Sequence, residues 1–188
     1  VDAALVLRHS VHLTHVESQH YNYKMYAIVH TNAEPCGKVL QDFGFTVQIV
    51  KNPIQRNEIQ GKFLRDHVHR EWCCGEDEFI KLYAYTLPEK IVVHVDMDFL
   101  FLQSMDDLYD AMLYHKDSDI GKLAREKIPT EFKNNHVPLP NIIQAMMTRD
   151  WPQVIPGRKA GYQAGFLIAR PNREIFDIIV DVIQKGDY

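Results

Sequence analysis

Cysteine is scarce in this chain, and what there is cannot all be paired. Three residues, Cys36, Cys73 and Cys74, leave at least one thiol without an intrachain partner, and adjacent cysteines are poorly disposed to bridge each other. A disulfide-built scaffold is therefore set aside; a reducing compartment is mildly favoured, without shutting out the secretory pathway. No C-x-x-C or zinc-finger spacing occurs, so a cysteine zinc site goes too. No stretch approaches the ~20 apolar residues that a membrane helix needs. Lys and Arg total 21 against 25 acids and are scattered rather than striped, and a net charge of −4 speaks against a nucleic-acid partner. Residues 1–13 carry Asp2, Arg8, His9 and His12 and do not read as a signal peptide. Internal repeats and low-complexity tracts are likewise missing.

What is present is ordinary in bulk. With 188 residues, 46% hydrophobic and 24% charged, the chain is long enough for a single domain with a real core. Apolar residues Ala4, Leu7 and Val11 fall at helical spacing. Lys24 to His30 reads as a strand, Asn32 to Pro35 as a turn, and Val39, Leu40 and Phe43 as a short helix stopped by Gly44. Phe45 to Val50 alternates as a second strand. Glu76, Asp77 and Glu78 open a helix with Phe79, Ile80, Tyr83 and Leu87 on its apolar face, the acids suiting the positive end of the helix dipole. Ser104 and Asp107 resemble a capping box for a helix from Met105 to Tyr114. Residues 115–160 are polar and proline-containing and read as an irregular insert, with one helical stretch near Ile142 to Met147. Gly165 to Ala169 reads as a strand, and Asn172 caps a last helix closed by Lys185 and Gly186. Strands alternating with helices make this an α/β chain with a mostly parallel sheet.

One segment carries more chemistry than the rest. From Ile91 to Leu102 an apolar run meets Asp96 and Asp98, then resumes as a second apolar run, so the acids read as lying between two apolar strands. Open α/β sheets place ligands at the carboxyl ends of strands. Two carboxylates that close repel unless a cation or a proton relieves them, and hard oxygen ligands suit Mn²⁺ or Mg²⁺. The alternative is a turn or cap with no ion. Asp117-Ser118-Asp119 has the same spacing without a preceding strand and reads as a solvated turn, an internal control. His9, His12 and His15, with His67 and His69, could suggest zinc, but no carboxylate or cysteine is placed to complete such a site. Cys73 and Cys74 read as buried thiols rather than nucleophiles.

The order of pieces resembles the glycogenin-like family 8 glycosyltransferases. Ala3 to Ser10 resembles the family's first helix. Phe79 to Leu87, Val92 to Leu100 and Met105 to Leu108 look like its central block, and Gly161 to Leu167 is similar to a later strand. The resemblance implies a GT-A (Rossmann-like) nucleotide-diphospho-sugar transferase domain spanning residues 1–188, and a retaining, metal-dependent transfer of a hexose. It implies Mn²⁺ (or Mg²⁺) held by Asp96 and Asp98 against the diphosphate of a UDP-sugar. Met97 would lie near the ribose, Lys81 would face the diphosphate or sugar, and Gln163 and Gly165 would line the sugar pocket. No general acid or base is implied by name. A saccharide, protein or lipid would be the acceptor, and by analogy Tyr21, Tyr23 and Tyr26 raise the weaker idea of an acceptor tyrosine. Gln163 departs from the family's usual Asn. The family's first strand, its later Asp-Gln pair and its late His would fall outside this sequence, which therefore reads as truncated at both ends. Two other functions stay open: a metal-dependent nucleotidyltransferase or phosphoesterase, and a non-catalytic transferase-like binding domain. The compartment stays open between cytoplasm and Golgi lumen.

Overall fold

The computed structural model describes residues 1–18, 20–68, 75–128, 139–149 and 161–187. They form two compact units, each assembled from separate stretches: residues 1, 24–88 and 171–188 in one, 2–23 and 89–170 in the other. Among the described residues no helix is long and apolar enough to cross a membrane.

In the first unit, β1 (Tyr26–His30) and β2 (Thr46–Val50) pair in parallel, from Tyr26 opposite Thr46 to His30 opposite Val50. Parallel strands need a crossover, and α2 (Glu34–Asp42) supplies it, with Pro35 in its first turn where a missing N–H costs nothing. The turn expected at Asn32 to Pro35 is thus divided: Thr31–Ala33 forms a short 3₁₀ turn, and Pro35 already belongs to the helix. Further along, α3 (Lys62–His67) leads toward a 3₁₀ helix from Gly75 to Thr86. An α-helix was the expectation there. The tighter winding puts residues three apart in line, which brings Glu78 and Lys81 together as an ion pair; further along, Ala84 and Leu87 are buried. The acids at 76–78 also do more than face a dipole. Glu76 Oε2 accepts from the Arg56 backbone N–H at 2.9 Å, and Asp77 Oδ1 accepts from Asn52 Nδ2 at 2.9 Å. The last helix, α6 (Arg173–Lys185), has the expected ends: Asn172 Oδ1 accepts from the Glu174 N–H at 2.8 Å, and Gly186 takes φ 62°, a conformation that favours glycine. Tyr83 and Phe176 meet with ring centroids 5.3 Å apart. Ile54, Ile59, Ala84, Leu87 and Phe176 are buried here.

The second unit contains α1 (Asp2–Glu17), β3 (Val92–Val95), α4 (Asp106–Leu113), α5 (Asp119–Lys127), β4 (Ala145–Arg149) and β5 (Tyr162–Ala169). Its sheet runs β3-β5-β4 and is antiparallel throughout. The buried face of α1 is Ala4, Leu7, Ser10 and Thr14, and the two hydroxyls are satisfied within the helix: Ser10 donates to Leu7 O and Thr14 to Ser10 O. Ser10 Oγ also accepts from the Phe101 N–H at 3.2 Å. Past α1, Tyr21 donates to Asp110 Oδ1 at 2.5 Å and its ring meets Tyr109 edge-on. Tyr23 packs edge-on against His15, and its hydroxyl lies 3.3 Å from His12 Nδ1. Two of the three α1 histidines thus hold a tyrosine.

Three expectations are corrected in this unit. The second apolar run, Phe99 to Leu102, is not a strand; its residues alternate, with Phe99 stacked on Phe166 and Leu100 and Leu102 exposed. Ile142 to Met147 is not helical. Ala145–Arg149 is a strand because it pairs antiparallel with β5, which sets Met146 against the core and leaves Met147 42% exposed. Asp117 to Asp119 is more than a solvated turn: Ser118 caps α5, its Oγ accepting from the Gly121 N–H at 3.1 Å. The reading of Cys73, Cys74 and His69 falls outside the described residues.

The chain is therefore mixed α/β, as expected. The described strands pair in two sheets, one parallel and one antiparallel, rather than displaying one mostly parallel sheet. Alternation of strands and helices along a sequence announces layers but not which strand neighbours which.

Candidate functional site

The site begins with the pleat. Alternate residues of a strand face opposite sides, and directly paired residues of neighbouring strands face the same side. On one side of β3 and β5, Val93, Val95, Phe166 and Ile168 enter the core with Ala111, Met112, Ala124, Ile128 and Ile143. Each large apolar side chain buried there stabilises the unit by roughly 1.5–3 kcal/mol. The other side carries His94 opposite Leu167 and, one pair further, Asp96 beside Gly165. The ladder continues into that pair, since the Asp96 N–H donates to Gly165 O at 3.0 Å. Asp96 thus leaves the sheet at the carboxyl end of β3 with its backbone tied down.

The chain then reverses. The Phe99 N–H donates to Asp96 O at 3.1 Å, which closes a turn over Asp96-Met97-Asp98-Phe99. Phe99 anchors its far end in the core. Met97 and Asp98 occupy the exposed tip, Met97 at 61% exposure, and the Asp96 side chain is 41% exposed. Two carboxylates therefore stand on one rigidly anchored turn, open to a ligand.

Gly165 explains how the first of them fits. A Cβ built on it would lie 2.8 Å from Asp96 Oδ2 and 3.5 Å from both Asp96 Cγ and Gln163 Cδ. The carboxylate of Asp96 and the carboxamide of Gln163 converge over a position that has no side chain. His94, two residues earlier on the same side of β3, places Nε2 4.0 Å from Asp96 Oδ1. The sequence reading passed over His94, although the same alternation that buries Val93 and Val95 puts His94 and Asp96 together.

Of the anticipated residues, Asp96, Met97, Asp98, Gln163 and Gly165 all belong to the second unit, the first three on the turn that follows β3 and the last two on β5. Lys81 belongs to the first unit, on the 3₁₀ helix, with its ammonium paired to Glu78. The control motif differs in kind. Asp117 bonds Lys116 Nζ through both oxygens at 3.0 Å, and that bond holds its carboxyl below the usual range.

Among the described residues no group of three or more His, Cys, Asp or Glu could hold a metal ion. The Asp96–Asp98 turn is thus no closed metal cage. A pair of carboxylates is instead the protein share of a site in which a hard cation keeps waters and takes its other ligands from substrate phosphates. The donor set fits Mn²⁺ or Mg²⁺ in that mode only.

Comparison with models of known protein families, with characterised proteins and with solved structures finds no match to this chain.

Proposed function

We propose that this chain is a metal-dependent glycosyltransferase of GT-A type that moves a hexose from a UDP-sugar to an acceptor with retention. The observation that carries the reading is the pairing of Asp96 with Gly165 at the end of β3, with Asp98 on the adjoining tip. Asp96 and Asp98 would hold Mn²⁺ or Mg²⁺ facing the donor's diphosphate. When bound, the ion would act as a Lewis acid on the departing diphosphate oxygens. The turn's backbone hydrogen bonds anchor the main chain that carries both carboxylates, so little backbone ordering is left to do when the donor arrives. Gln163 offers a carboxamide that both donates to and accepts from sugar hydroxyls. Gly165 leaves the room that the Asp96 carboxylate takes up beside Gln163, and with Gln163 it would line the sugar pocket. In the same reading Met97 would contribute backbone near the ribose. The acceptor is a saccharide, a protein or a lipid.

A two-ion phosphoryl-transfer site would draw on more acids. The cluster nearest in sequence holds other groups instead: Glu76 the Arg56 N–H, Asp77 the Asn52 amide, Glu78 the Lys81 ammonium. The transfer reading is therefore preferred.

Calorimetric titration of UDP into the protein tests it. Binding should need Mn²⁺, vanish in Asp98→Asn and persist in Asp117→Asn. UDP affinity that ignores both metal and Asp98 sinks the reading, and an inverted product anomer by NMR removes retention.

A further inference from the structure

A shallow depression of about 510 Å³, open to solvent, lies on the first unit, lined by Gln55, Arg56, Asn57, Arg65, Asp66 and Glu76. That volume falls within the roughly 300–1,000 Å³ of small-molecule sites. Its frame is fixed. Ile54 and Ile59, 0% and 1% exposed, anchor both ends of the short 3₁₀ turn Arg56–Glu58. Arg56 donates from Nε to Arg65 O at 2.7 Å, and Arg65 donates from Nη1 to the Ile59 and Gln60 carbonyls, each at 3.0 Å. Both guanidiniums are thus oriented by backbone. Each carries five N–H donors, so the fork has N–H groups to spare for a ligand.

The charges of the lining cancel. Arg56 and Arg65 face Asp66 and Glu76, so an anion would meet two carboxylates and a cation two guanidiniums. A neutral ligand rich in hydroxyls suits both signs. Each O–H donates to a carboxylate or to the Gln55 or Asn57 carbonyl, and accepts from a guanidinium or an amide. Phe63, 67% exposed and stacked on His67, precedes Asp66 by three residues, so the two are neighbours on the surface of α3. An exposed ring there offers a flat apolar surface to the C–H face of a pyranose.

From this we propose that the depression is a binding site for a neutral saccharide, built from residues other than those of the Asp96–Asp98 turn. The inference rests on the glycosyl-transfer reading only for preferring a saccharide to another polyol. The test uses the whole chain in ¹⁵N NMR titrations with maltohexaose, cellohexaose, chitohexaose and mannohexaose, with inorganic phosphate as the charged control. At least one hexasaccharide should shift the amides of residues 55–66 saturably. Asn57→Ala and Asp66→Ala, both at exposed positions, should each weaken that binding roughly fivefold, the effect of one lost hydrogen bond. Silence from all four sugars, phosphate saturating the site in their place, or unchanged affinity in both variants overturns the assignment. UDP with Mn²⁺, titrated into the same samples, reports separately on Asp96 and Asp98. Its failure beside intact saccharide binding removes the transfer reading and supports the saccharide site.

Discussion

The Asp96 carboxylate occupies space that any side chain at position 165 would claim, since a Cβ on Gly165 would stand 2.8 Å from Asp96 Oδ2. The contact is between a backbone on β5 and the movable end of a side chain on β3. A conflict of that kind is relieved by rotation of the carboxylate, not by displacement of a strand. Position 165 therefore controls where Asp96 points without controlling whether the sheet forms.

Gly165→Ala should accordingly fold as the parent does, its unfolding free energy changed by less than about 1 kcal/mol. Its Mn²⁺-dependent affinity for UDP should fall roughly tenfold or more, the usual penalty for disturbing what orients a metal ligand. Gly161→Ala, where an added Cβ meets nothing within 4 Å, should change neither. Parental UDP affinity in Gly165→Ala would show that Asp96 has no metal to orient.

Gly61→Ala presents the opposite case. Its Cβ would lie 2.1 Å from Gly186 O and 2.4 Å from Gly186 C, and backbone cannot rotate away. The Gln60 N–H, one residue earlier, also donates to Gln184 O at 2.7 Å, so the end of α6 is tied to this strip of chain. Urea denaturation should show a loss of roughly 1–3 kcal/mol, the cost of overpacking a closed site.

Ser118→Ala removes the oxygen that accepts from the Gly121 N–H and the hydroxyl that donates to His115 O at 2.7 Å. Thermal denaturation should register a loss of about 1 kcal/mol, as for other helix N-caps. UDP binding should stay at the parental value. A loss of UDP binding in this variant would mean that the control motif has a share in the site.

Alkaline pH should weaken the fold. Burial, with the nearby Asp106 charge, pushes the Tyr109 hydroxyl up to about 12, and burial followed by the bond to Asp110 raises Tyr21 further. Above pH ~10 the unfolded chain releases these protons before the folded chain does, so the folded state binds more protons and loses stability as pH rises. Urea midpoints should be level below pH ~10 and decline from there toward pH ~12. Tyr109→Phe should flatten that decline, because it removes one of the protons being counted. A decline equally steep in Tyr109→Phe would assign the effect to other groups.

The sequence made some parts of this molecule legible and hid others for physical reasons. Helix ends were readable where one residue type does a local job, as Asn172 and Gly186 do at the two ends of α6. β3 was readable because apolar residues run up to a pair of acids. β4 was not, since Ala145 to Arg149 is short and its apolar residues fit a helical period as well as an alternating one; only pairing with β5 decides. The winding of Gly75–Thr86 was hidden for a similar reason, because apolar spacing does not separate 3₁₀ from α over a few turns. In the candidate site, Asp96 and Asp98 announced themselves by charge in an apolar setting. The space left by Gly165 could not be seen from β5 alone, because it is defined by a carboxylate on another strand.

The two sides of β3 have one more consequence, for how such a chain can change over generations. Val93 and Val95 hold the unit together, while His94 and Asp96, interleaved with them, lie on the opposite side of the sheet. Single replacements at 163 or 165 can therefore be sampled by drift with the hydrophobic interior left as it was. A descendant could trade one donor for another through a few such steps, each of them passing through a folded protein.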